Sequence, residues 1–283
     1  MSLLNYDFMQ RALIAAALVG LLAPLIGVFL VQRRLALLGD GMGHVALTGV
    51  GLAFLLGTAP IPTAMATAAA GAFLIEFIRY RSRTAGDVAL ALLFYGGIAG
   101  GVLFASLAPG KASSSLNAYL FGSLSTVASG DVIALLALCL LVIALLVIFG
   151  REMFAMSLDA ELAAVQGIRV RMMSTLLAVL AAVVVVVGMR VVGLLLVSAI
   201  MIVPVAAAQQ VTRSFRATTA LAVLLGLVAS VSGLVTSFVV EVPPGPTIVL
   251  EALALFAVLA VIAVPLRRRR RSVDDEPQVK SGV

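Results

Sequence analysis

Apolar residues in this chain gather in successive blocks, each about as long as the roughly 17 to 25 residues a helix needs to cross a bilayer core some 30 Å thick. Polar residues sit mainly between the blocks. The pattern predicts helical spans at 12–31, 36–57, 61–79, 87–107, 130–150, 172–189, 191–211, 218–240 and 247–266. A transmembrane barrel would alternate apolar and polar positions over segments of about ten residues, and no such alternation is present. Helices are then the open-chain solution, because backbone groups in lipid must bond within the protein. The first block is as long as a true span and lacks a small-residue cleavage site followed by a soluble domain, so it reads as a span. Only Gly188–Arg190 separates the sixth and seventh blocks, and a short or broken first or seventh segment would leave eight spans. The expected fold is all-α: a polytopic transmembrane helix bundle of eight to nine spans, one domain over 1–266, then a disordered charged cytoplasmic tail over 267–283.

Composition agrees. At 283 residues, 63% hydrophobic and 11% charged, the chain carries more apolar surface than a soluble domain of its size can hide. A net charge of +6 would by itself fit a nucleic-acid partner, but the arrangement of the basic residues speaks against one. They cluster between spans, at Arg33/Arg34, Arg79/Arg81/Arg83, Arg151, Arg169/Arg171, Arg213/Arg216 and Arg267–Arg271. With these in the cytoplasm, only Arg11, Lys111 and Arg190 fall at the outer side, the N-terminus lies outside and the C-terminus inside. The bilayer is the partner that this charge pattern implies. Gly96, Gly97, Gly100 and Gly101 are expected to form a small-residue face for helix packing. The lone Cys139, in an apolar run, excludes a disulfide framework within the chain.

Ionisable residues inside spans cost several kcal/mol and so mark candidate sites. Asp40 and His44, in Gly39-Asp40-Gly41-Met42-Gly43-His44, stand at i and i+4 on one side of a helical turn. With the second span starting near Ala36, His44, the single histidine, lies about 12 Å into the membrane at 1.5 Å per residue. An imidazole nitrogen with a carboxylate oxygen suits zinc, manganese or ferrous iron. The bland alternative is an Asp–His hydrogen bond fixing a polar spot in the bundle, and spacing alone leaves both readings open. Glu76 and Asp87, near span ends, are expected to be solvated or ion-paired, and Glu251 to pair with Arg190. Ser157–Gly167 reads as a capped amphipathic helix between spans, and Pro204–Arg216 as a second, shorter one begun by a proline break. Either could dock a soluble partner or lie at the membrane interface.

Six ordered segments carry a family resemblance: RRLALLGDGMGHVALTGVGLAFLLG (33–57), GDVALALLFYGGIAGGVLF (86–104), LNAYLFGSL (116–124), SLDAELAAVQGI (157–168), VVGLLLVSAIMIVPVAAAQQVTRSF (191–215) and EVPPGPTIVL (241–250). The chain resembles the ABC-3 family of permeases, the membrane subunits of bacterial zinc, manganese and iron importers. The resemblance implies a multi-pass protein of the bacterial cell membrane, a homodimeric membrane domain, a separate ABC ATPase subunit beneath it and an extracytoplasmic metal-binding protein. It implies no enzymatic activity in this chain and no permanently bound cofactor, the metal being the substrate moved by alternating access. The family's Asp-x-x-Ser-His motif maps onto Asp40 and His44, with Gly43 in place of Ser and Thr48 in place of a usual Pro. Thr48 and Glu241 are expected to neighbour the path or its gate. Similarity to the cobalamin and siderophore permease fold places ATPase coupling at Val205, Gln209, Gln210, Thr212, Arg213, Ser214 and Arg216. Asp159, Glu161, Gln166 and Gly167 then belong to a second cytoplasmic element. Rival readings are a permease for chelated metal or cobalamin, which would need a wide pore without an ionic pinch, and an ion-coupled secondary transporter. The latter would show paired carboxylates on broken helices in an inverted repeat, and none is evident.

Overall fold

Each apolar block forms a helix. The computed structural model describes residues 7–81, 86–109, 112–122, 128–190 and 192–274, with no strand among them. In chain order the helices are α1 (Asp7–Gln32), α2 (Ala36–Leu56), α3 (Pro60–Arg81), α4 (Gly86–Leu107), α5 (Ala112–Phe121), α6 (Ser129–Leu158), α7 (Ala160–Val165), α8 (Val170–Gly188), α9 (Leu194–Gln209), α10 (Phe215–Val240) and α11 (Pro244–Asp274). Eight of them, all but α5, α7 and α9, are long and apolar enough to cross a membrane. The seventh block yields the shorter α9, of 16 residues. Gly193, at φ +92°, turns the chain into it, a left-handed conformation that glycine adopts without a Cβ penalty.

Pro204 does not break the run. It lies inside α9, which continues to Gln209, so no separate helix forms over Pro204–Arg216; a short turn leads into α10. Its fixed φ is already helical, and packed neighbours in a membrane bundle tolerate the one lost ladder bond. The expected helix over 157–167 is also reapportioned. The Ser157 hydroxyl donates back to the Met153 carbonyl at 2.7 Å within α6, while Asp159 caps α7 by accepting from the Glu161 and Leu162 amides at 2.9 and 3.0 Å. Asp is the stronger cap because its charge also opposes the dipole of the helix start. Gly167, at φ +83°, ends the element as expected. α11 runs on through the Arg run to Asp274, past the expected boundary at 266, and residues 275–283 lie outside the described residues.

α2 occupies the middle of the bundle, between α3, α4, α8 and α9. Small residues make this possible. α2 and α4 run parallel, Gly41 meeting Leu90 near one end and Gly51 meeting Gly101 and Ala105 near the other. At Gly97 the approach is tightest to the site: a Cβ there would fall 2.6 Å from the His44 carbonyl carbon and 2.7 Å from its oxygen. Of the four glycines expected on one packing face, Gly97, Gly100 and Gly101 meet α2, whereas Gly96 faces open space. α1 and α10 pack antiparallel, Phe8 against Phe238 and Phe29 against Phe215, with Gly20 and Gly226 facing each other between them.

Charged groups mark the two ends. At one, Arg33 donates to the Ser174 hydroxyl at 2.7 Å and Glu76 pairs with Arg79 at 2.6 Å, as its span-end position suggested. Burial and the neighbouring Arg79 lower the Arg33 pKa from its ordinary value, with Glu76 opposing them. At the other end, Arg190 pairs with Asp131 at 2.8 Å. Glu251 therefore does not take Arg190 as its partner; it accepts from the hydroxyls of Ser232 and, at 2.7 Å, Thr236, both on the neighbouring α10. Asp131, in the first turn of α6, occupies the place beside Arg190 that the sequence reading gave to Glu251. The side chain of Asp87 lies outside the described residues.

Candidate functional site

Asp40 and His44 face the same side of α2, in the half of that helix nearer Arg33 and Arg34. His44 Nε2 lies 3.8 Å from Asp40 Oδ1, and the two side chains are 7% and 33% exposed. That separation is beyond a hydrogen bond. His44 Nδ1 is buried with no hydrogen-bond partner, a cost of about 1–3 kcal/mol for an unsatisfied polar group. The bland reading, a hydrogen-bonded Asp–His pair, therefore does not describe this geometry. Two donor atoms 3.8 Å apart can instead share one ion, since metal bonds to imidazole nitrogen and carboxylate oxygen are about 2.0–2.2 Å long.

Neighbouring helices hold the pair. Phe94 of α4 sets its ring edge-on to the imidazole, centroids 4.2 Å apart, and Ser198 of α9 donates to Asp40 Oδ1 at 3.2 Å. Asp40 opens into a cavity of about 320 Å³ walled by Leu37, Leu90, Ala91, Phe94 and Tyr95. Leu37 and Tyr95 on its rim are exposed, so the carboxylate reaches the protein surface through an otherwise apolar opening. Among the described residues, no three His, Cys, Asp or Glu side chains come together. Changing Ser198 to Ala is expected to leave the fold intact while freeing the carboxylate, and a several-fold rise in the substrate concentration for half-maximal uptake would report it.

The expected path neighbours fall differently. Thr48, one turn beyond His44, donates to the Gly97 carbonyl at 2.8 Å and so ties α2 to α4. Glu241 is the C-cap of α10, exposed and left-handed at φ +60°, outside the residues walling the cavity. A Cβ at Gly43 would lie 3.4 Å from the Leu194 carbonyl oxygen, ordinary contact, so the backbone there leaves room for a Cβ such as the family motif's serine begins with.

Of the expected coupling residues, Gln209, Arg213, Ser214 and Arg216 are exposed at the α9–α10 turn. Thr212 and Thr218 hydroxyls meet at 2.7 Å across it, Gln210 donates to the Ala206 carbonyl, and Ser214 caps α10 by accepting from the Ala217 amide. Val205 takes no part in that surface: it is fully buried with Val28, Ala208 and Ala222. Asp159, Glu161, Gln166 and Gly167 are exposed on and around α7.

Two contributors escaped the sequence reading. Ser198 is a polar residue within the apolar run 191–203, a visible signal, but its pairing with Asp40 across 158 positions depends on the fold. Phe94 carries no signal distinguishing it from a lipid-facing aromatic.

The model of the ABC 3 transport family matches residues 5–263, nearly the whole described chain. The chain belongs to this family. Among ABC 3 relatives, the Manganese transport system membrane protein MntC of Listeria innocua is 32% identical over 261 residues, 92% of each protein. The Manganese import system permease protein ScaB of Streptococcus gordonii is 32% identical over 269 residues, 95% of this chain and 96% of that one. A solved structure, PsaBC from Streptococcus pneumoniae in complex with Fab, aligns with TM-score 0.82 at 31% identity, covering 91% of this chain and 92% of the other. A putative metal-chelate type ABC transporter in an inward-facing conformation aligns with TM-score 0.74 at 17% identity, a likeness of fold alone.

Proposed function

We propose that this chain is the membrane permease subunit of an ABC importer for a divalent transition metal, with manganese the foremost substrate and zinc and iron compatible with the same ligands. The observation that carries this reading is the His44–Asp40 pair, too far apart to bond each other, buried on one side and open through a narrow apolar cavity on the other. The names of the MntC and ScaB relatives support manganese within that class.

In this reading two copies assemble with their Asp40 cavities facing, so that a second Asp and His complete the site. A transport site must hold its ion tightly enough to admit it and weakly enough to release it, and a shared, easily opened ligand set does both. A separate ABC ATPase, engaging the exposed α9–α10 turn and α7, closes on ATP and shifts which side the site faces. An extracytoplasmic binding protein delivers the ion. The Arg-rich end and the C-terminus face the cytoplasm, in keeping with the positive-inside pattern. ATP hydrolysis belongs to the partner and not to this chain.

The test is uptake by a deletion strain with the complete transporter restored, assayed separately with radiolabelled manganese, zinc and iron. Manganese accumulation that needs both this chain and the ATPase supports the reading. Uptake that persists without any ATPase would refute it.

A further inference from the structure

A second cavity lies away from the metal pair. It is a groove of about 1250 Å³ between α3 and α8, sharing no wall residue with the Asp40 cavity. Phe73, Phe77, Leu176 and Val179 form its apolar sides, and Arg169 and Arg171 stand exposed at its mouth. Glu76 also borders it, with its carboxylate engaged by Arg79 at 2.6 Å. From Val170 to Val179 the groove follows α8 for nine residues, about 13 Å at 1.5 Å per residue. That is close to half of the ~30 Å hydrocarbon core, the depth of one leaflet.

We propose that the α3–α8 groove binds an anionic glycerophospholipid of the leaflet at the Arg-rich end, its phosphate on Arg169 and Arg171 and an acyl chain against Phe73, Phe77 and Val179. The occupant follows from three features together. The groove is as long as a leaflet is deep, its walls are apolar along that length apart from Glu76 and Thr175, whose hydroxyl bonds the Arg171 carbonyl, and its cationic end lies where headgroups lie. Phe73 and Phe77, one helical turn apart and both half-exposed, offer flat surfaces to a flexible chain that a neighbouring helix would leave poorly packed. The inference depends on the membrane placement of the chain and not on which metal it carries.

The full-length chain, purified within its assembled transporter and placed in nanodiscs of phosphatidylcholine with a minor share of phosphatidylglycerol, tests this by native mass spectrometry of the retained lipid. Wild type should retain phosphatidylglycerol in preference to phosphatidylcholine. With each arginine near the membrane surface contributing roughly fivefold, the R169Q/R171Q variant should lose that preference by about 25-fold. R151Q, the loss of one charge on exposed α6, should keep it for that groove. V179W leaves both arginines in place but fills the groove, and should also lose retention. Absence of any preference in wild type, or retention equal to wild type by either R169Q/R171Q or V179W, overturns the proposal. So does a thermal stabilisation by inorganic phosphate as large as that by the lipid, which would make the site one for the free anion.

Discussion

Replacing His44 by Ala is expected to cut manganese uptake to below about a hundredth of the wild-type rate while the chain still inserts and assembles, since even indirect support of a metal ligand is worth ten- to a hundredfold. Among the described residues the imidazole makes no hydrogen bond whose loss would unsettle the bundle; its Nδ1 is already unpartnered and its Nε2 lies 3.8 Å from Asp40. Removing it should thus relieve a buried polar group and cost mainly the packing against Phe94. The measurement pairs uptake of labelled manganese with the amount of intact complex recovered from membranes. Wild-type uptake by the variant would take His44 out of the path, and loss of the complex would return it to a structural role.

The second large effect concerns Gly97. Substituting Val there is expected to abolish uptake and to lower the melting temperature of the purified complex, because its Cβ would meet the backbone of His44 at 2.6–2.7 Å. Overpacking of this kind costs about 1–3 kcal/mol where side chains can yield, and here a helix backbone must move. α4 would be pushed from α2, carrying Phe94 off the imidazole and straining the Thr48–Gly97 hydrogen bond. Gly150 on α6 supplies the contrast, as an added Cβ would meet nothing within 4 Å; Gly150→Ala should be neutral or slightly stabilising. Equal behaviour of the two variants in a thermal melt would mean that the α2–α4 contact does not position the site.

Much of this architecture is legible in the sequence because lipid imposes a coarse rule: an apolar block of sufficient length becomes a helix. The blocks at 36–57 and 87–107 return as α2 and α4 within a residue of their expected bounds. Errors gather where local polar chemistry competes. Pro204 reads as a break when considered alone, yet packing within α9 carries the helix through it. Ser157 and Asp159 are both plausible caps by type, and only the fold shows Ser157 spending its hydroxyl inside α6. The Glu251–Arg190 expectation failed for a related reason, since which acid lies nearest an arginine is a matter of helix neighbours.

For the site, spacing put Asp40 and His44 on one face but left hydrogen bond and metal contact undecided. The 3.8 Å gap is too long for the hydrogen bond, and a distance of that kind has no signature in residue order. Ser198 likewise reaches Asp40 only because α9 lies against α2.

The brevity of α9 bears on the dehydration of an ion. Sixteen residues rise about 24 Å, some 6 Å less than a ~30 Å hydrocarbon core, so the wall that α9 contributes does not extend across the full apolar slab. At its start Gly193 rests against the end of α5 at Leu120–Gly122, a polar-flanked segment and not a continuing span. The apolar wall that α9 sets beside Asp40, through Ser198, is correspondingly shorter than the membrane is thick. In the proposed importer, a divalent cation passing a shorter apolar wall would keep part of its hydration shell for longer, which lowers the Born penalty of its entry.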